Sequence, residues 1–129
     1  MALKSGVLLY KIHGREIHVL LIKDEEGGWQ IPHGEAGQRD SIERVARDAL
    51  KHKAGTDAPV AFEYMLSVDL GGNDQLFCYV AQYKGSERPE AGEGAMQADW
   101  LSLDRAGQLV DERELAALEL LRGKATRVA

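Results

Sequence analysis

Cysteine is nearly absent from this chain of 129 residues: only Cys78 is present, so no internal disulfide can form. That fits a reducing, cytoplasmic setting, which is the expected location. Cys78 lies inside an apolar alternating run, so it is expected to be a buried structural thiol rather than a nucleophile. Long apolar runs are lacking as well. The stretch Val19 to Ile22 is far too short to cross a bilayer, and the opening residues 1–6 have no signal-peptide pattern, so no membrane role is expected. There is no excess of basic residues. With a formal net charge of -5 there is no electrostatic reason to expect nucleic-acid or membrane binding. Internal repeats and low-complexity segments are missing too.

What remains is ordinary for a globular domain: 44% hydrophobic and 29% charged residues. The length suggests one domain over 1–123, with a loose tail at 124–129. Gly6 to Ile12 and Glu16 to Lys23 are β-rich runs around the turn His13-Gly14-Arg15, which predicts a strand pair. Trp29 to Ile31 is a candidate short strand ended by Pro32. Val60 to Leu70 and Gln75 to Tyr83 flank the turn signal Gly71-Gly72-Asn73-Asp74. In the second of these runs both faces are apolar, which predicts a central strand covered on both sides. Lys84 to Gln97 is a long loop, and Asp99 to Leu103 a short strand.

The period changes between Ser41 and Lys53. Ile42, Val45, Ala46, Ala49, Leu50 and Lys53 fall on one helical face whose last position is charged. Asp40 is placed as N-cap, with Glu43 completing a capping box, and Gly55 suits the position just past the end. Lys51, His52 and Lys53 compensate the helix dipole. A short helix is expected over Asp104 to Val110. A last one runs from Glu112 to Arg122, with Leu115, Leu118 and Leu121 inward and Gly123 as its stop. Strands mixed with two or three helices predict an α/β (α+β) layered domain.

The segment from Trp29-Gln30-Ile31-Pro32-His33-Gly34 through Gly55 resembles the signature of the Nudix family, G-x5-E-x7-R-E-U-x-E-E-x-G-U with U apolar. Gly34 matches the first glycine, Asp40 the first acid, Leu50 the apolar position and Gly55 the last glycine, without a gap. The opening Ser5-Gly6-Val7-Leu8-Leu9-Tyr10 and the later Trp100-Leu101-Ser102-Leu103-Asp104 occur in family order. The resemblance implies a mixed β-sheet sandwiched between helices, with the signature helix on one face. It also implies a family that hydrolyses diphosphates linked to another moiety, using magnesium held by glutamates.

Those glutamates are missing. Their positions hold Ala49, His52 and Lys53, which changes the formal charge there from -3 to +1, and Asp48 replaces the family arginine. Mg²⁺ is a hard cation that prefers oxygen ligands, and an ammonium repels it. No confident catalytic residue is expected, and no metal or other cofactor. The ligand-binding candidates are His33, Gly34, Glu35, Lys53 and Glu93. The His33 carbonyl lies where the family uses a backbone oxygen on the metal, and Glu93 resembles a loop glutamate of some members. The expected role of His52 and Lys53 is a solvated helix end; a sharper reading has Lys53 stand in for the metal charge and hold a phosphate. A third reading groups His33, Asp48, His52 and Glu93 as weak candidates for a transition metal.

The leading expectation is therefore a Nudix-like module without the standard reaction, binding a nucleotide-like phosphate ligand or a protein partner. The alternative is an active pyrophosphohydrolase with a relocated Mg²⁺ or Mn²⁺ site drawn from Glu35, Asp40, Glu43, Asp48, Glu63 and Glu93. A structural homodimer is a further alternative.

Overall fold

The computed structural model describes residues 3–37, 39–57, 61–85, 87–92 and 94–128, and for 125–128 the backbone only. Its centre is strand β1, Leu3–His13, whose apolar run is buried on both faces. Side chains alternate along it. Leu8 and Tyr10 join one core, and Val7 and Leu9 join the other. β2, Glu16–Lys23, pairs antiparallel with β1 through the expected turn, with Tyr10 opposite Val19. β6, Asp74–Gln82, runs parallel on the other side of β1, from Leu3 opposite Gln75 to Tyr10 opposite Gln82. β5, Tyr64–Gly71, pairs antiparallel with β6. β7, Gln97–Ser102, and the two-residue β3, Trp29–Gln30, both pair with β2. β4, His33–Glu35, lies antiparallel to the start of β1.

Helices cover both faces of this mixed sheet. Helix α1, Ile42–Ala54, packs Ala46, Leu50 and Ala54 on Val7, Leu9, Leu20, Ile22 and Ala81. The opposite face carries α2, Leu103–Leu109, and α3, Glu112–Val128, whose Leu103, Ala106, Leu118 and Leu121 meet Leu8, Val19, Leu21 and Val80. β6 has Leu76, Cys78 and Val80 in one core and Ala81 in the other, as its two apolar faces predict. Cys78 is fully buried, and burial pushes its thiol up to about 12, with Glu114 adding to the effect.

Three expectations needed correction. The N-cap of α1 is Ser41, not Asp40: the Ser41 hydroxyl accepts from Arg44 N–H at 3.4 Å. Asp40 is drawn back into the preceding turn, where its carboxylate accepts from Gly37 N–H at 2.7 Å. Glu43 pairs with Arg47 at 3.3 Å rather than closing a capping box. The strand expected from Val60 starts at Tyr64. Val60 itself lies outside the described residues. Finally, α3 does not stop at Gly123 but continues to Val128. A glycine ends a helix by turning left-handed, and Gly123 is not among the residues with positive φ. Lys124 and Ala125 after it are good helix formers, so the chain continues helical. Gly55 does end α1 in this way, with φ 63° and its N–H on the Lys51 carbonyl.

One close approach positions the site. The chain from Ile31 to His33 crosses directly over β1, and Val7 N–H donates to the Pro32 carbonyl at 3.2 Å. A Cβ at Gly6 would lie 2.3 Å from that carbonyl oxygen, so only glycine allows the crossing.

Candidate functional site

The signature segment folds as its spacing suggests. β4 lies over α1, and a Cβ at Gly34 would stand 3.3 Å from Val45 Cγ1 and 3.8 Å from Ala49 Cβ. Ala49 is buried beneath this loop. One turn further along α1, the half-buried Lys53 reaches back to the same loop. Its Nζ donates to the His33 carbonyl at 2.5 Å. The backbone oxygen that the resemblance assigns to a metal therefore carries an ammonium. Burial lowers the pKa of Lys53, as does the neighbouring Lys4, while Glu35 opposes them.

His33 has its own constraint. Its Nδ1 lies 2.7 Å from the Ile31 carbonyl. A carbonyl only accepts, so Nδ1 carries the proton and Nε2 presents a lone pair in the neutral ring. Burial lowers the pKa of His33, and Lys53 and Lys4 lower it further, against the Ile31 hydrogen bond and Glu35.

Of the other sequence candidates, β4 brings Gly34 and Glu35 beside this pair, where Glu35 acts by its charge, whereas Asp48 and His52 do not converge here. Asp48 and His52 point to solvent from α1, and Glu35 is exposed at the end of β4. Glu93 lies outside the described residues. Its neighbours strap the loop onto α1: Gly92 N–H donates to Lys53 O and Glu90 N–H to Ala54 O, each at 2.9 Å. Of the acids available for a relocated site, Asp40 and Glu43 are engaged as above, and Glu63 accepts from the Tyr10 hydroxyl at 3.1 Å. Among the described residues no three His, Cys, Asp or Glu side chains are placed to share a metal ion. The donor set at the signature positions, a methyl, an outward imidazole and an ammonium already on the loop carbonyl, does not fit Mg²⁺.

Two residues of the site escaped the sequence reading. Lys4 sits in β1 and acts electrostatically on both His33 and Lys53. Glu114 lies in the first turn of α3, where its Oε1 accepts the Ile31 N–H at 2.7 Å. Burial pushes the Glu114 carboxyl up to about 7; Asp111 adds to this, and the Ile31 N–H, Lys4 and Arg113 oppose it. Both residues line a cavity of about 520 Å³ together with Trp29, Gln30, His33 and Leu76. A parallel bridge between Trp29 and Val110 holds one wall to the α2–α3 junction. A charge at a strand end and an acid in a helix's first turn are common surface features, so nothing local marked either residue.

This architecture recurs in solved structures. An Ap4A hydrolase from C. elegans in a binary complex superposes with a TM-score of 0.79 at 16% identity, covering 99% of this chain and 98% of that one. The Nudix hydrolase RenU from M. Smegmatis gives 0.79 at 18% identity, covering 98% and 86%. The NUDIX domain of NrtR from Shewanella oneidensis, solved with ADP ribose, gives 0.75 at 17% identity, covering 98% and 88%. No family model and no curated protein matches the sequence. The chain has the Nudix fold. Among the described residues, no helix is long and apolar enough to cross a membrane.

Proposed function

We propose that this chain is a binding module for a phosphorylated, nucleotide-like ligand, working without a divalent metal and without the hydrolytic reaction of its fold relatives. The observation that carries this is the Lys53 ammonium on the His33 carbonyl. The cation that a phosphate needs is then part of the chain. One of the three ammonium hydrogens is held by the carbonyl, which orients the group and leaves two for phosphate oxygens. Lys4 adds a second positive charge, and an anion between the two would relieve the repulsion that adds to burial in lowering the pKa of Lys53. The adjoining cavity offers the Trp29 ring and the Gln30 side chain to a heterocycle. The ADP ribose bound by the NrtR domain makes such a compound a natural first probe.

The test is calorimetric titration with ADP ribose, nucleoside diphosphates and inorganic pyrophosphate in EDTA. Binding that survives the chelator and is lost in Lys53→Glu is the expected result. A companion hydrolysis screen with Mg²⁺ and Mn²⁺ covers the opposite case. Robust turnover that a change at His52 or Lys53 abolishes would overturn the reading.

A further inference from the structure

The geometry points to Glu114 as a positioning residue: from the α3 side of the sheet it fixes the backbone that presents the His33 carbonyl to Lys53, and so sets how that site holds an anion. This rests on the binding function proposed above and names the residue that prepares the site for it.

The chain of contacts is short and continuous. Glu114 Oε1 accepts Ile31 N–H at 2.7 Å. The carbonyl of the same Ile31 accepts from His33 Nδ1 at 2.7 Å. The carbonyl of His33 accepts from Lys53 Nζ at 2.5 Å. Pro32 between them has no N–H and a fixed φ, so the three residues have little freedom to bend independently. The missing Cβ of Gly6 lets the segment lie against β1, and Ile31 is fully buried, which anchors its middle. Each end of the segment is then tied to a side chain from a different helix, Glu114 of α3 and Lys53 of α1.

Buried peptide groups need partners, and the Ile31 N–H has the Glu114 carboxyl. Without that acceptor, the Ile31 N–H must find another partner, and the cavity lined by its neighbours Gln30 and His33 is the open side to turn towards. Turning that N–H rotates the Gln30–Ile31 peptide, and the accompanying shift of the Ile31 Cα is passed through the stiff Ile31–Pro32 unit to the Ile31 carbonyl on the His33 ring and to the His33 carbonyl on Lys53. Lys53 then loses its fixed acceptor and moves outward, and the aligned pair of free N–H groups is lost.

Charge alone does not account for this effect. The groups facing the Glu114 carboxyl are Lys4 from β1, Cys78 from β6, Asp111 just before α3 and Arg113 on it. Asp24, Glu26 and His33 share its cavity. Glu114 is not among the groups that shift Lys53, so a change in Lys53 on altering Glu114 reports geometry.

Three variants separate the possibilities. Glu114→Gln keeps a carbonyl oxygen in place for Ile31 N–H without the charge. Glu114→Asp keeps the carboxyl one methylene short of it, and Glu114→Ala removes it. Two measurements are made on each: the titration of Lys53 followed by NMR at its ¹³Cε, and the Kd for inorganic pyrophosphate in EDTA. In the Gln variant the Lys53 titration should match the parent, with pyrophosphate affinity within about threefold. In the Asp and Ala variants Lys53 should titrate upward towards an ordinary lysine, and affinity should fall about tenfold. Should the Ala variant fail to fold, the Asp and Gln variants carry the comparison. An unchanged Lys53 titration in a folded Asp or Ala variant overturns the proposal, as does a Gln variant that behaves like Ala. Failure of the parent protein to bind pyrophosphate would count against the binding function instead, while the Lys53 titration still decides the role of Glu114.

Discussion

The two ends of the Ile31–His33 segment treat charge in opposite ways. Towards α1, a half-buried ammonium meets a carbonyl; towards α3, a mostly buried carboxyl meets an N–H. Burial is the largest cause of both pKa shifts, and it favours the neutral form of each group. What selects the residue type at each end is the backbone atom that happens to face it. A carbonyl stabilises a cation and repels a carboxylate, and an N–H does the reverse. The loop that would share a metal with glutamates in a magnesium site here shares its oxygen with a lysine. The fold tolerates this exchange because the carbonyl oxygen still has a cationic partner, an ammonium in place of a metal ion.

The comparison can be broken at both ends at once through Gly6→Ala. Its Cβ would collide with the Pro32 carbonyl, so the segment must lift from β1. A loss of about 3 kcal/mol in urea unfolding is expected, with Lys53 and Glu114 both losing their partners.

The α3 end alone is addressed by pH. Glu114 holds its proton to about 7 in the folded chain, against 4.5 for an ordinary glutamate. Between those values the folded state binds more protons than the unfolded state, so this carboxyl makes stability fall as pH rises through the window. Above about 7 its effect is constant. The decline should be about 2 kcal/mol once solvent screening is allowed for, and Glu114→Gln should flatten it; denaturant midpoints across the pH range measure both.

The α1 end responds to Lys53→Met, which leaves the His33 carbonyl without its donor. About 1 kcal/mol of stability should be lost, together with metal-independent pyrophosphate binding. In the unaltered protein, that binding should weaken as pH rises through the lowered pKa of Lys53, because the neutral amine no longer attracts the anion.

His52→Glu is the smallest change. The side chain is exposed, so a stability change within about 0.5 kcal/mol is expected, and the acid restored there should not by itself produce Mg²⁺ affinity. A Mg²⁺ titration followed by amide NMR checks it. Tight Mg²⁺ binding in this variant would show that the ammonium of Lys53 is no barrier to the metal.

Much of this molecule was legible in local pattern. The alternation in β1 and β6, the turn at residues 13–15, the helical face of α1 and the left-handed Gly55 all depend on neighbours a few positions away. The gap-free spacing from Gly34 to Gly55 marked the Nudix fold, and the residue types at Ala49, His52 and Lys53 showed that its carboxylates are gone. The choice of Ser41 over Asp40 as cap was not legible, since either side chain can cap and the path of the preceding turn decides between them. Nor was the end of α3, where Gly123 is compatible with both a stop and a continuation.

The sequence by itself determined the layers of this protein and the loss of its acids, because periodicity and residue type are local properties. Only the tertiary structure decided what replaced those acids. Lys53 and His33 are 20 positions apart, and Ile31 and Glu114 are 83. Such pairs meet because two helices pack on opposite faces of one sheet at the point where the loop crosses β1. No repeat or propensity along the chain encodes that meeting, since it depends on where the buried faces come to rest.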